Sequence, residues 1–305
     1  MRHLTSLLDL SSDDTREILA CAAELKALCQ AGQRPPRLAG RILTQIFEKP
    51  SLRTRASFAA AMSQLGGGSQ FFDTAAAGLE GREAVEDVAR VISGYSDVLV
   101  LRTFSQQKIE QFAELADCPV INGLSDDRHP CQALTDLLTM QEEFGDLAGR
   151  RLVYVGDGNN VAASLAIACG HLGLGMTHSA PAGYELDETF CTLLGQRVPG
   201  AELTLQPDPV EAVADADVVY TDVWASMGQE DQKDERGEAF AAYQVNSALM
   251  ASAPDDCRFM HDLPARRGLE VTDEVIDGPQ SLVFSQAENR MHLAKGLLVW
   301  LLGES

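Results

Sequence analysis

Short apolar runs alternate with helix-patterned stretches along this chain, and the alternation restarts halfway. The run Arg41-Ile42-Leu43-Thr44-Gln45-Ile46-Phe47 ends at Glu48-Lys49-Pro50-Ser51, and a helical pattern follows over 53–65 until Gly66-Gly67-Gly68. Further strands are expected at 69–72, 97–101 and 119–121, with a helix at 130–144. A second round opens with Arg151-Leu152-Val153-Tyr154-Val155, which runs into Gly156-Asp157-Gly158-Asn159-Asn160 and a helix to about 172. Strands near 175–179, 202–205, 217–221 and 257–260 then alternate with helices near 187–197, 208–214 and 243–251. Strands that are apolar throughout and separated by helices belong to parallel sheets covered on both faces. The predicted fold class is therefore α/β, with two doubly wound parallel-sheet domains. A helix over about 12–30, capped by Ser11 or Ser12, precedes the first, and an apolar-faced helix over 286–302 follows the second and is expected to pack back on the first. The expected division is 1–140, 141–285 and a returning C-terminal helix in 286–305.

A length of 305 residues agrees with two cores. The net charge of −21 argues against a nucleic-acid or anionic-membrane partner, since both favour basic surfaces. No stretch reaches the roughly 18 apolar residues of a membrane helix. Met1-Arg2-His3-Leu4-Thr5 leads into polar, acidic sequence rather than a secretory core. Cys21, Cys29, Cys118, Cys131, Cys169, Cys191 and Cys257 are widely spaced and form no CxxC, which fits reduced thiols and a cytoplasmic protein.

The chemistry-bearing residues cluster where strands end. Ser51-Leu52-Arg53-Thr54-Arg55 lies at a strand-to-helix transition, where unpaired N–H groups and the positive end of the helix dipole suit a phosphate. Two arginines and two hydroxyls there form an anion cradle, although a capped helix with exposed arginines would read the same way. Arg102 follows the run 97–101; alone, such an arginine is more often a surface ion-pair partner. His129-Pro130-Cys131-Gln132 precedes a helix, with proline suited to its first turn and two donors, His129 and Gln132, at its mouth. The Gly156 turn occupies the place of a dinucleotide loop but lacks GxGxxG spacing and a ribose-binding acid, so a nicotinamide enzyme is a weak reading. Asp222-Val223-Trp224-Ala225-Ser226-Met227-Gly228 offers an acid and a hydroxyl to an amino acid's α-groups. His261-Asp262-Leu263-Pro264 and Glu288-Asn289-Arg290 complete the set, and the loop Gly78-Leu79-Glu80-Gly81-Arg82-Glu83 reads as mobile.

Taken together and in this order, these segments resemble the aspartate/ornithine carbamoyltransferase family over essentially the whole chain. Ser-x-Arg-Thr-Arg resembles its carbamoyl phosphate signature, and HPCQ, GDGNN, D-x-x-x-SMG and H-x-LP resemble its ornithine branch. The resemblance implies transfer of carbamoyl from carbamoyl phosphate to the δ-amine of L-ornithine, giving L-citrulline and phosphate in arginine biosynthesis. It implies a carbamoyl phosphate domain first, an ornithine domain second, a homotrimer, and no metal or organic cofactor, because the mixed anhydride is already activated. By the same resemblance Ser51, Leu52, Arg53, Thr54, Arg102, His129, Gln132 and Arg290 bind carbamoyl phosphate, with Leu52 where a threonine is common. Asn160, Asp222, Ser226, Met227, Asp262 and Leu263 bind ornithine, and Arg82 reaches a neighbouring subunit's site. Thr54, Arg102 and His129 face the developing oxyanion, and closure of two domains would exclude water.

One departure stands out. The family's usual HCLP reads His261-Asp262-Leu263-Pro264, so a carboxylate replaces a cysteine beside the acceptor amine. An anion there favours the unreactive ammonium or serves as a general base, so Asp262 is placed among the catalytic residues with Arg102, His129 and Thr54. Rival readings are a carbamoyltransferase for putrescine or an acylated ornithine, and a non-catalytic paralogue that binds carbamoyl phosphate.

Overall fold

The computed structural model describes residues 1–79, 82–225 and 230–303. It forms two compact units, Met1–Leu138 with Glu288–Ser305, and Thr139–Ala287. The first unit runs α1 (Ser12–Gln30), β1 (Ile42–Phe47), α2 (Leu52–Gln64), β2 (Gly68–Asp73), α3 (Val85–Ser93), β3 (Val98–Arg102), α4 (Gln106–Leu115), β4 (Val120–Leu124) and the start of α5 (Pro130–Phe144). Its strands are parallel in the order β2-β1-β3-β4. Ser11 rather than Ser12 caps α1: Ser11 Oγ accepts from Asp14 N–H at 3.1 Å, and Asp14 Oδ2 accepts from Ser11 N–H at 2.9 Å.

The second unit runs β5 (Arg151–Val155), α6 (Asn160–Leu172), β6 (Gly175–Ser179), α7 (Glu188–Arg197), β7 (Glu202–Leu205), α8 (Pro209–Val213), β8 (Val218–Thr221), α9 (Lys233–Ala239), α10 (Ser247–Met250), β9 (Arg258–His261) and α11 (Asp273–Ile276). Its five parallel strands are ordered β7-β6-β5-β8-β9. Val153, Val155, Val219 and Phe259 form part of a fully buried core, and each such side chain contributes roughly 1.5–3 kcal/mol by leaving water. Tyr154 and Tyr220 stack across neighbouring strands, their centroids 5.6 Å apart. The last helix, α12 (Val283–Leu302), belongs from Glu288 onward to the first unit. There Leu293, Ala294, Leu297 and Leu298 are buried, and Gly296 meets α1 so closely that a Cβ would stand 2.7 Å from Ala22 N. Any larger residue at 296 would push the two helices apart.

Both sheets carry a topological switch point, where successive crossovers leave in opposite directions. In the first it lies at the ends of β1 and β3, whose residues Phe47 and Arg102 pair. In the second it lies at the ends of β5 and β8, with β9 beside β8 and His261 paired to Thr221. The sequence motifs sit at these ends.

The nine expected strands are present, but several helical features differ from the sequence reading. Helices α3, α4, α9 and α11 were not anticipated; each is short, and α3 follows a glycine-rich loop that hides its start. The helix expected over 243–251 is only α10, because Val245 N–H is taken by Glu270 O at 2.8 Å and Asn246 caps the turn that follows. Helix α12 starts at Val283 rather than 286, the Gln286 N–H closing onto Leu282 O at 2.8 Å. Among the described residues no helix is long and apolar enough to cross a membrane.

Candidate functional site

In the first unit, Ser51 caps α2 with its Oγ accepting from Thr54 N–H at 3.3 Å. The first-turn N–H groups of Leu52 and Arg53 have no intrahelical acceptor by helix geometry. The Leu52 side chain is 81% exposed, so this residue can serve an anion only through its backbone. Thr54 is fully buried, and its Oγ1 accepts from Ser51 Oγ at 3.0 Å and from Arg290 Nη2 at 2.8 Å. With both lone pairs engaged, the Thr54 hydroxyl hydrogen remains to be donated. Arg290 Nη1 also donates to Gln132 Oε1, and Gln132 Nε2 donates to the buried Asp136 at 2.8 Å. Ser51, Thr54, Gln132 and Arg290 thus form one connected network drawn from three helices.

Arg102 is buried at the end of β3, and its backbone is held on the β1 side: Glu48 N–H donates to Arg102 O at 2.7 Å. Glu48 Oε2 in turn accepts from Phe104 N–H at 2.7 Å, and the buried Lys49 pairs with Asp126. The loops carrying Ser51 and Arg102 are therefore tied to each other. His129 is buried immediately before α5, and its carbonyl accepts from the N–H groups of Gln132 and Ala133. Arg53 is half-buried on the first turn of α2. Three guanidinium groups and a helix N-terminus in one unit give local positive charge within a chain of net charge −21.

In the second unit, Asp222 is buried just past β8. Its Oδ2 accepts from Asn159 Nδ2 at 2.8 Å and its Oδ1 from Val223 N–H at 2.7 Å. Asn159 is orientated by four contacts, because its Oδ1 also accepts from Val161 N, Ala162 N and Tyr154 Oη. Gly158 is needed beside it: a Cβ there would lie 2.5 Å from the backbone of Glu185. One polar atom each of Asp222, His261 and Asp262 lie within 4.8 Å of one another. Burial, and then the charge of Asp262, push the Asp222 carboxyl well above the usual carboxylate range. Asn160, the residue expected to meet the ligand, is the half-buried first residue of α6. Leu263 adopts a left-handed backbone with φ of 59°.

Burial lowers the pKa of His261, and contacts with Asp262 and Glu270 raise it, with a net upward direction. Leu263 N–H donates into Nδ1 at 2.9 Å, which leaves that nitrogen no place for a proton, and Nε2 faces Glu270 Oε1 at 3.3 Å. The ring nitrogens thus face Leu263 N–H and Glu270, and the trio brings two acids, Asp222 and Asp262, beside the ring.

Ser226 and Met227, like Glu80 and Gly81, lie outside the described residues. Arg82 is exposed and pairs with Glu83 at 2.9 Å. Sequence reasoning singled out the segments holding Asn159 and His261 without giving either residue a role, and missed Glu270 and Asp136. The doubled asparagine was visible, but which of the two reaches Asp222 depends on the capping geometry of α6. Another omission is Arg236, which donates to Asp157 at 2.9 Å and to Trp224 O at 2.8 Å and so ties the Gly156 turn to the loop after β8.

Residues 2–142 match the family model described as aspartate/ornithine carbamoyltransferase, carbamoyl-P binding domain. Residues 148–301 match the model described as aspartate/ornithine carbamoyltransferase, Asp/Orn binding domain. The chain is 50% identical over 308 residues to an ornithine carbamoyltransferase of Bacillus subtilis, covering 100% of this chain and 95% of that protein. It is 46% identical over 304 residues to an anabolic ornithine carbamoyltransferase of Pyrococcus furiosus, covering 99% and 96%. A solved structure of ornithine carbamoyltransferase from Pyrococcus furiosus superposes with a TM-score of 0.96 at 46% identity, covering 100% of this chain and 98% of that one.

Proposed function

The chain belongs to the aspartate/ornithine carbamoyltransferase family, and from that premise we propose that it is an anabolic ornithine carbamoyltransferase, making L-citrulline and phosphate for arginine biosynthesis. The observation that carries this reading is a contrast of charge. The switch point of the first sheet is lined by guanidinium groups, and that of the second by two buried carboxylates, Asp222 and Asp262. The first suits the carbamoyl phosphate anion; the second suits a cationic amino acid.

In the proposed reaction the neutral δ-amine attacks the carbonyl carbon, forming the new C–N bond. The carbonyl oxygen gains charge, and Thr54, Arg102 and His129 stabilise it as donors. Collapse breaks the bond to phosphate, which takes up the proton released by the amine nitrogen and leaves against Ser51, Arg53, Arg102, Arg290 and the first-turn N–H groups of α2. Gln132 orients the carbamoyl group. Asn160, Asp222, Ser226 and Met227 hold the α-groups of ornithine, while Asp262 and the Leu263 backbone face the reacting nitrogen. No metal or organic cofactor takes part in this scheme. The chain is further proposed to act in the cytoplasm as a homotrimer, with Arg82 contacting carbamoyl phosphate in the neighbouring subunit.

The direct test is citrulline formation across pH 6–10, with putrescine and acetylornithine as competing acceptors. Ornithine-dependent turnover exceeding that with the other amines is expected. Preference for putrescine would reassign the acceptor, and binding of carbamoyl phosphate without turnover on any amine would make the chain a non-catalytic paralogue. For Arg82, an Arg82→Ala variant is expected to raise KM for carbamoyl phosphate about tenfold, the worth of one charge-assisted contact. An unchanged KM would remove Arg82 from the site.

A further inference from the structure

His178 is fully buried in β6, paired with Tyr154 of β5 in the parallel register. Its ring lies between two backbone groups whose roles are fixed. Gly156 O can only accept, and it stands 2.9 Å from Nε2; Leu186 N–H can only donate, and it meets Nδ1 at 3.4 Å. The ring is therefore the tautomer with its hydrogen on Nε2 and a lone pair on Nδ1. Burial holds its pKa below the ordinary histidine value, in agreement with an uncharged ring. Both backbone groups belong to the support of the Gly156–Asn160 turn. Gly158 packs on the Glu185–Leu186 peptide so tightly that a Cβ would stand 2.5 Å from Leu186 N, and Gly158 N–H donates to Tyr184 O at 2.8 Å. Tyr154, its ring centroid 5.7 Å from that of His178, donates its hydroxyl to Asn159 Oδ1 at 3.2 Å. His178 thus meets the turn at its first carbonyl, at the peptide packed on its second glycine and, through Tyr154, at the asparagine that donates to Asp222. A buried carbonyl deprived of its donor is costly, so the turn would shift to find another.

We infer that His178 is a positioning residue for acceptor binding: its ring fastens the Gly156–Asn160 turn to the 184–186 segment and so sets where Asn159 and Asn160 stand relative to Asp222. The inference rests on the proposed function, because it takes Asn160 and Asp222 as ornithine-binding groups. Being fully buried, His178 acts through the turn alone.

The first experiment compares three variants of the full-length protein. Glutamine reaches the Nε2 position with an amide N–H and keeps the bond to Gly156 O. Asparagine places its amide near Nδ1 and is too short for Gly156 O, whereas phenylalanine keeps a ring and offers neither bond. His178→Phe is expected to raise KM for ornithine roughly 10–100-fold, the scale of an ångström misplacement, with KM for carbamoyl phosphate within about twofold. His178→Gln should recover most of that loss and His178→Asn less of it. Equal KM for ornithine in the phenylalanine and glutamine variants, or an equal rise for both substrates, would reduce His178 to a packing residue. The second experiment leaves the chain unaltered and decides even where the variants do not fold. Nitrogen NMR of protein labelled at histidine, with His178 identified by its contact to the Tyr154 ring, should show a proton on Nε2 and none on Nδ1. During titration with L-ornithine in the presence of phosphate, the Nε2 resonance should move in step with occupancy, read from the ornithine signals. A proton on Nδ1, or an Nε2 resonance unmoved at saturation, would overturn the inference while ornithine turnover left the proposed function standing. Neither binding nor turnover of ornithine in the unaltered protein would sink the proposed function, and this inference with it.

Discussion

Replacing Arg290 with methionine is expected to lower kcat/KM for carbamoyl phosphate by roughly 10²–10³-fold, with KM for ornithine changed far less. Arg290 is buried, and its guanidinium donates to Thr54 Oγ1 at 2.8 Å and to Gln132 Oε1. Hydrogen bonds from a charged donor are worth about 1.5–3 kcal/mol each, and loss of a preorganised donor at a developing oxyanion costs a comparable amount. Methionine keeps much of the volume but offers no hydrogen. The Thr54 hydroxyl is then free to turn toward the vacated oxygen of Gln132, misdirecting the donor meant for the ligand. A buried Gln132 oxygen left without a partner would also cost about 1–3 kcal/mol of stability, visible as a lower urea midpoint. Undiminished kcat/KM in a folded Arg290→Met variant would remove the network from the carbamoyl phosphate site.

The second large effect concerns pH. Asp222 is poorly solvated and close to Asp262, so burial and then the charge of Asp262 both resist its ionisation. An ammonium binds best when both charges are present. In the unaltered enzyme, the rise of kcat/KM for ornithine with pH therefore combines two deprotonations, that of the δ-amine and that of the acid pair. Asp262→Asn removes the repulsion acting on Asp222 and leaves burial as the main cause holding its proton, so Asp222 ionises at lower pH than in the unaltered enzyme. The acid limb of the profile is expected to be steeper than unit slope in the unaltered enzyme and to fall to unit slope in Asp262→Asn. Stability follows the same linkage. The folded-state pKa of Asp222 is raised above its unfolded value, so its contribution is fully present at low pH and is lost as pH rises through the folded pKa. The urea midpoint should decline as pH rises above the ordinary carboxylate range in the unaltered protein and decline less in Asp262→Asn. If Asp262→Cys leaves both the pH–rate profile and the ornithine affinity unchanged, Asp262 does not face the acceptor amine.

The network around Arg290 also shows where sequence reasoning ends. Ser51, Arg53 and Thr54 could be placed on the first turn of a helix after a strand, because cap residues, strand ends and helix dipoles are local properties written over a few positions. Nothing local joins Arg290 to Thr54, 236 positions away in sequence, or to Gln132, 158 positions away. Only the family resemblance proposed that they share a ligand. The helix expected over 243–251 failed for the same reason: Val245 pairs with the segment at Glu270, and that long-range hydrogen bond outweighs helix periodicity.

The amino-acid pattern alone determined that this chain builds two parallel sheets, where each of nine strands lies, and that its arginines, asparagines and acids collect at strand ends. Hydrophobic periodicity and capping chemistry act between near neighbours, so they can be read along the chain. Tertiary structure decided the order of strands within each sheet, and with it the two switch points that gather those ends. It also decided that Asn159 rather than Asn160 meets Asp222, and that His261 sits between Leu263 and Glu270. These choices depend on which distant backbone donor or buried charge each side chain meets, and burial makes an unmet partner costly enough to select one arrangement.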